Sequence, residues 1–225
     1  MSALGGATAS EATYRISVLA TALVRMWRGW KILLPVIIGN ALVQGLLTWP
    51  NLMPYLSVGF ILLSAISWIT LLASYALVTA TMLQATTGSV DLHEVLRVVR
   101  DRWLAVLGWS SLLFAAVLLG LSLAILPGLL VLALAPFLLL AVVDGRRHPL
   151  AANFHVMRMH WGRWLVTVTA MGLICVVLWL VSALNGFFVT GAPGALMGWL
   201  LLGLVASWFT AAWALVYRAV DSPRA

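Results

Sequence analysis

The sequence predicts an all-α integral membrane protein with six transmembrane helices, arranged as three hairpins that each follow a basic amphipathic interfacial helix. Hydrophobic residues make up 64% of the 225 residues and charged residues only 8%, and the mean hydropathy is +1.09. Because a soluble domain carries about 25% charged residues, this composition cannot cover a water-facing surface. Six apolar runs and the one-sided placement of positive charge complete the argument.

The 13 Lys and Arg residues occupy alternate connections between the apolar runs. They are Arg15, Arg25, Arg28 and Lys31 before the first run, Arg97, Arg100 and Arg102 before the third, Arg146, Arg147, Arg158 and Arg163 before the fifth, and Arg218 and Arg224 after the last. The connections at 50–54, near Pro127 and at 185–194 carry no charge. Since basic loops stay on the cytoplasmic side, we expect a multi-pass plasma-membrane protein with both termini inside. The net charge of +7 is thereby explained without a nucleic-acid partner.

The apolar runs define the six predicted spans. They are Ile32–Trp49, Ser57–Met82, Leu104–Leu126, Leu129–Val143, Trp164–Leu184 and Ala195–Tyr217. The charge-free stretch from Leu104 to Val143 would form about 60 Å of helix, twice the thickness of the hydrocarbon core, so it must fold back. Pro127 and Gly128 are the strongest helix breakers near its middle and predict the turn. Pro136 predicts a kink in the short fourth span.

Each outward-going span follows a basic amphipathic segment that ends in tryptophan. The segments are Ala12–Trp30, Leu92–Trp103 and Pro149–Trp164. Apolar residues recur in each at three- and four-residue spacing, which is typical of helices lying in the membrane interface. The arginines predicted to face away from these stripes and contact anionic phospholipid are Arg25, Arg28, Arg97, Arg100, Arg158 and Arg163.

The recurrence of interfacial helix plus hairpin indicates an internal repeat of about 60–75 residues within one membrane domain, 1–225. The predicted parts are a tail and interfacial helix at 1–31, the first hairpin at 32–83, an interfacial helix with the second hairpin at 91–143, an interfacial helix with the third hairpin at 149–217, and a tail at 218–225.

Part of the chain resembles a bacterial membrane-protein pattern. The residues that carry the resemblance are Leu126-Pro127-Gly128, the turn from Asp144-Gly145 to Ala152, and Gly162-Arg163-Trp164. They resemble the six-span membrane domain that precedes the catalytic domain in some glycerophosphodiester phosphodiesterases and occurs alone in small bacterial proteins of unassigned function. Val156 stands where those proteins often carry Ser. The resemblance implies the bacterial inner membrane. Phosphodiesterase activity is not carried over, because the chain stops at Ala225 without a soluble domain.

Asn40 and Gln44 are the polar residues of the first span. Being four residues apart, they share a helix face that Thr48 continues. They could line a substrate path, but hydrogen bonding between helices is the favoured interpretation, because neither side chain is ionisable.

The histidines His148, His155 and His160 gather with Asp144 near the predicted inner end of the fourth span. On one helix His155 and His160 are five residues apart, whereas pairs of metal ligands prefer a spacing of three or four. Cys175 is the single cysteine. We therefore expect no metal, no cofactor and no catalytic residue.

The small residues Gly203, Ser207 and Ala211 indicate close helix packing in the last span, with a homo-oligomer as the alternative. An intramembrane ionisable residue, which transporters and membrane hydrolases commonly use, is missing from the spans. The leading hypothesis is a non-enzymatic accessory or scaffold subunit that contacts anionic lipid and a membrane partner. The alternatives are the permease subunit of an exporter with a separate ATPase, and a lipid-modifying enzyme with its site at the inner interface.

Overall fold

The computed structural model describes residues 17–47, 57–188 and 192–221, and throughout these ranges the regular structure is helical. The helices are α1 (17–28), α2 (Trp30–Leu47), α3 (Val58–Thr87), α4 (Leu92–Leu123), α5 (Ile125–Leu134), α6 (Leu138–Val143), α7 (Pro149–Met159), α8 (Trp161–Phe188) and α9 (Ala192–Asp221). The all-α prediction is confirmed for this part of the chain.

Within these described ranges, six segments are long and apolar enough to cross a membrane. They are Trp30–Leu47, Val58–Thr87, Leu92–Leu123, Leu126–Val143, Trp161–Leu178 and Pro193–Val220. The number of spans therefore agrees with the sequence prediction, and the chain has the character of a multi-pass membrane protein. The 50–54 connection, Arg15, Thr48 and Arg224 lie outside the described residues, as do residues 189–191 of the last connection.

Helix α9 lies at the centre of the packing, in contact with α2, α3, α7 and α8. Its second half contributes the fully buried side chains of Phe209, Ala212 and Val216. The small residues predicted to pack closely do so within the chain: Gly203 lies against Ile37 of α2, and Ala211 has no exposed surface. Helix α8 is peripheral, with Leu173 67% exposed, as expected of a side chain that faces lipid.

The predicted turn between the third and fourth spans is displaced by three residues. The chain breaks at Ala124, and Pro127 lies inside the first turn of α5 rather than between the helices. The first amides of a helix have no intrahelical partner, so a proline there sacrifices no hydrogen bond. The glycine pair Gly120 and Gly128 then brings the two backbones together, because a Cβ added to Gly120 would lie 2.7 Å from the Gly128 nitrogen.

The three amphipathic segments do not form equivalent helices. A turn at Gly29 separates α1 from α2, and a break at His160 separates α7 from α8. In contrast, Leu92–Trp103 is the first part of the uninterrupted helix α4. The prediction of a separate interfacial helix was wrong there, since Arg102 precedes Trp103 without a breaking residue. Asp91 caps α4 by accepting a hydrogen bond from the His93 amide at 3.0 Å.

One end of the bundle gathers the charged residues and is called the basic end below. It is formed by the ends of α1, α3, α6 and α9 and by the starts of α4 and α7. Contacts that join these elements include Arg25 to Ala85, Arg102 to Gly145, and Arg218 to Asp144.

Candidate functional site

The fourth span is broken in its middle, between α5 and α6. Pro136 has no amide hydrogen, and the helical hydrogen bonds are interrupted from Ala135 to Phe137. Asn153 of α7 fills the interruption. Its Oδ1 accepts from the Phe137 amide at 3.0 Å and its Nδ2 donates to the Leu134 carbonyl at 2.8 Å. The side chain is completely buried, so a single amide satisfies one donor and one acceptor of the broken backbone.

A second side chain closes the same break. The indole Nε1 of Trp164 donates to the Ala133 carbonyl at 2.9 Å, and the ring is 7% exposed. Backbone groups in an apolar environment require partners, because each unsatisfied group costs about 1–3 kcal/mol. The break is therefore held by side chains from α7 and α8.

Asp144, at the end of α6, is the centre of a charged cluster at the basic end. Its Oδ1 lies 3.0 Å from Arg218 Nη2, and its Oδ2 lies 3.1 Å from Arg146 Nε. The Tyr217 hydroxyl donates to Oδ2 at 3.0 Å and accepts from Arg146 Nε at 3.0 Å. The Asp144 side chain is 15% exposed, so two guanidinium groups and a phenol neutralise a mostly buried carboxylate.

Local backbone geometry fixes this cluster. Gly145 has φ +82°, its amide donates to the Val142 carbonyl, and the Arg146 amide donates to the Ala141 carbonyl at 3.0 Å. These bonds form a Schellman motif, which favours glycine at the left-handed position. A side chain on Gly145 would also meet the Arg102 guanidinium. The turn thus aims Asp144 at α9 and brings α4 beside it.

Two cavities lie at the basic end. The first, of about 520 Å³, is called the mixed-charge cavity because its wall contains as many carboxylates as guanidinium groups. The charged residues of the wall are Glu94, Arg97, Asp101, Arg102, Asp144 and Arg218. Arg97 already pairs with Glu94 at 2.6 Å. The charges of this cavity therefore largely compensate one another.

The second cavity, of about 490 Å³, is called the basic cavity. It lies between the α6–α7 connection, one face of α7 and the end of α9. Its wall consists of Arg146, Arg147, His148, Ala151, Ala152, His155, Val156, Tyr217 and Val220. None of these residues is acidic, which distinguishes it from the mixed-charge cavity. It is the part of the described structure best suited to an anion.

The six arginines predicted to contact lipid fall into two groups. Arg28, Arg97, Arg100 and Arg158 are exposed as expected. Arg25 is half-buried instead, and its Nη1 donates to the Ala85 carbonyl of α3 at 3.3 Å. Arg163 is also half-buried.

Asn40 and Gln44 have the predicted common face and are both buried. Gln44 Nε2 donates to the Ser67 carbonyl at 3.0 Å, and the Ser67 hydroxyl donates to Gln44 Oε1 at 2.6 Å. Gln44 Nε2 also lies 3.5 Å from Asn40 Oδ1. The polar face thus joins α2 to α3, in the manner of the interpretation that the sequence favoured.

The histidines do not converge on Asp144. His148 and His155 belong to the wall of the basic cavity, whereas Asp144 bonds to arginine and tyrosine. Across the described ranges, no group of three or more His, Cys, Asp or Glu residues has the geometry to hold a metal ion.

Sequence reasoning missed Asn153, Tyr217 as a hydrogen-bonding group, and the cavity at Arg147. A signal for Asn153 existed: a proline inside an apolar span exposes a backbone carbonyl, and an asparagine lies on the next amphipathic segment. The chain matches no family model, and no significant match is found among curated proteins or solved structures.

Proposed function

We propose that this protein is a non-enzymatic accessory or scaffold subunit of the bacterial inner membrane, which presents its basic end to anionic phospholipid and a membrane partner. The observation that carries the proposal is that Gln44, Asn153 and Asp144 form their bonds within the protein itself. Gln44 links two helices, Asn153 completes a broken one, and Asp144 is neutralised by Arg146 and Arg218. These groups support the fold. The basic end also carries exposed arginines, of which Arg97 and Arg100 lie beside Glu94 and Asp101 at the surface of α4.

The proposal includes the topology. Both termini and the basic end would lie in the cytoplasm, with three hairpins and with α1 and α7 at the interface, because basic connections resist translocation. In a Cys175→Ala background, a cysteine at Ser89 should resist an impermeant maleimide in intact cells, while cysteines at Asn51 and Thr190 should react. Reaction at Ser89 from outside would reverse the orientation.

Lipid contact is tested with the exposed arginines. The variant R28Q/R97Q/R100Q/R158Q is purified in mild detergent beside the wild type, and phosphatidylglycerol and cardiolipin are quantified per chain. Each basic residue near an anionic surface contributes about 1 kcal/mol, so retained anionic lipid should fall at least about fivefold. Arg25→Gln is the matched control, because Arg25 already bonds to Ala85. Equal retention by all three proteins would contradict the proposal.

A permease subunit is the second candidate, and one observation favours it. Broken helices near the middle of a span occur in transporters, where they line substrate sites, and the fourth span is broken at Pro136. The charged first part of α4 would then dock a separate ATPase. The discriminating result is stoichiometric co-purification of an ATPase that is lost in the variant E94Q/R97Q but retained in R158Q.

The resemblance to the membrane domain of glycerophosphodiester phosphodiesterases fits either candidate, and the activity of those enzymes is not proposed for this chain. A lipid-modifying enzyme at the inner interface is the third alternative. Such an enzyme would alter bulk lipid composition. We expect cells that carry H148Q/H155Q to have the same lipid composition as cells that carry the wild type. A changed composition at equal expression would favour the enzyme.

A further inference from the structure

We propose that the basic cavity binds the phosphate group of an anionic phospholipid headgroup, with phosphatidylglycerol as the occupant. This inference rests on the proposed function and gives it a defined site. The site differs from the surface predicted by sequence, because none of the six arginines expected to contact lipid belongs to its wall.

Charge is the first argument. Arg146, Arg147, His148 and His155 supply basic groups to one cavity, and the described wall contains no carboxylate. The nearby carboxylate, Asp144, is outside the wall and pairs with Arg218 at 3.0 Å and with Arg146 of the wall at 3.1 Å, so Arg147 is the wall arginine that Asp144 does not engage. Among the described residues, the Arg147 side chain has no ion pair, so its guanidinium is available to a phosphate.

The start of α7 supplies the second argument. His148 is the N-cap of α7, Pro149 begins the helix, and no side chain caps it. The first amides of a helix lack intrahelical acceptors and carry the positive end of the helix dipole, which favours a phosphate. Pro149 has no amide hydrogen and the Ala152 amide donates to the His148 carbonyl, so Ala151 is the residue of the cavity wall whose amide lacks an intrahelical acceptor.

Room for the headgroup comes from two alanines. His148 and Ala152 are four residues apart, as are Ala151 and His155, so these four residues share one side of α7 and its N-cap. The two histidines therefore lie on either side of a short stretch of the cavity wall formed by the alanine methyl groups. The cavity of about 490 Å³ exists because these positions lack larger side chains.

Apolar surface beside the cavity indicates a lipid rather than a free anion. Leu150 and Phe154, on the neighbouring face of α7, are 45% and 50% exposed, and Val220 belongs to the cavity wall. A phosphate held at Arg147 would place its acyl chains along this surface. A soluble phosphate would leave the same apolar side chains without a partner.

The experiment is a lipid titration of the full chain in detergent, followed by native mass spectrometry. The probes are dioleoylphosphatidylglycerol, dioleoylphosphatidylcholine, and phosphatidylglycerol in the presence of millimolar inorganic phosphate. The variants are R147Q/H155Q, which removes basic groups, and Ala151→Leu, which fills the cavity without changing charge. The matched control is K31Q/H93Q, because Lys31 and His93 are exposed, lie outside the cavity wall and are not among the six arginines expected to contact lipid.

We expect the wild type and K31Q/H93Q to bind phosphatidylglycerol at least about tenfold more tightly than phosphatidylcholine, a difference of about 1.4 kcal/mol. R147Q/H155Q and Ala151→Leu should each reduce this preference about fivefold or more. An unchanged preference in both variants overturns the site. Full competition by millimolar phosphate overturns the choice of a lipid as occupant.

A photoactivatable phosphatidylglycerol with its reactive group near the headgroup supplies the second measurement. It should label the peptide around residues 146–156 in the wild type, and labelling confined to other peptides overturns the proposal. The two proposals fail separately. If R28Q/R97Q/R100Q/R158Q loses lipid while R147Q/H155Q binds it normally, the cavity site is contradicted and the general lipid contact is supported. If both variants retain lipid fully, both proposals are contradicted.

Discussion

Gln44 and Asn153 are both buried amide side chains, yet one joins two intact helices and the other completes a broken one. Gln44 bonds to Ser67 across the α2–α3 contact, where the backbone of both helices is already paired. Asn153 bonds to the Leu134 carbonyl and the Phe137 amide, which the break in the fourth span leaves without helical partners. Loss of the first amide removes an added bond, whereas loss of the second exposes backbone groups in an apolar interior.

The largest effect is expected for Asn153→Leu. This variant keeps the volume but leaves one buried donor and one buried acceptor unsatisfied, at about 1–3 kcal/mol each. The free energy of unfolding, measured by tryptophan fluorescence in mixed micelles with increasing dodecyl sulfate, should fall by about 2–5 kcal/mol. Leu150→Ala, at an exposed position of the same helix, is the control. A stability equal to wild type would show that the break finds other partners.

Trp164→Phe should have the next largest effect. It removes the Nε1 bond to the Ala133 carbonyl and leaves a gap where the second ring of the indole packs, so a loss of about 1–3 kcal/mol is expected in the same assay. Trp161 is 58% exposed and gives the matched variant, Trp161→Phe, which should be neutral. Equal losses from the two variants would show that the contacts of Trp164 with the break do not stabilise the protein.

The Gln44–Ser67 pair should contribute less. A double-mutant cycle with Gln44→Leu and Ser67→Ala should give a coupling of about 0.6 kcal/mol, the average for hydrogen bonds between membrane helices. A coupling energy larger than the fall in the free energy of unfolding caused by Asn153→Leu would refute the comparison. The bond between intact helices would then be the stronger one.

The smallest expected effect is that of Arg25→Gln, which removes a part-buried hydrogen bond to the Ala85 carbonyl. Because this bond is long, at 3.3 Å, we expect a loss of about 0.5 kcal/mol, the lower end for a single hydrogen bond. The exposed Arg28→Gln is the control and should leave stability unchanged. Equal losses from the two variants would show that the bond to Ala85 does not stabilise the protein.

Sequence reasoning succeeded where one physical effect dominates. Apolar length defines the six spans, and Pro136 marks the interruption of the fourth, because proline cannot donate within a helix. It failed where the outcome depends on which surfaces meet. Pro127 could end a helix or begin one, and its position in the first turn of α5 places the break at Ala124. The role of Asn153 is likewise set by contact between α7 and the fourth span.

At the candidate site too, sequence reasoning failed where the outcome depends on contacts between helices. The positions of the basic residues along the sequence predict positive charge at one end of the bundle. They do not show which arginines bond to other groups of the protein. Arg25 and Arg218 bond to Ala85 and Asp144, whereas Arg147 lines a cavity. A helical wheel shows how side chains are arranged around one helix. The partners of these arginines lie on neighbouring helices, which the wheel does not include.

The uninterrupted course of α4 has a mechanical consequence. Its 32 residues extend for about 48 Å, which exceeds the roughly 30 Å of the hydrocarbon core by more than three turns. The excess carries Glu94, Arg97 and Arg100, and no flexible joint separates it from the apolar part of the same helix. A force applied to these side chains would tilt the whole rod. A displacement of the charged start of α4 would thus also shift its other end, where Gly120 lies against Gly128.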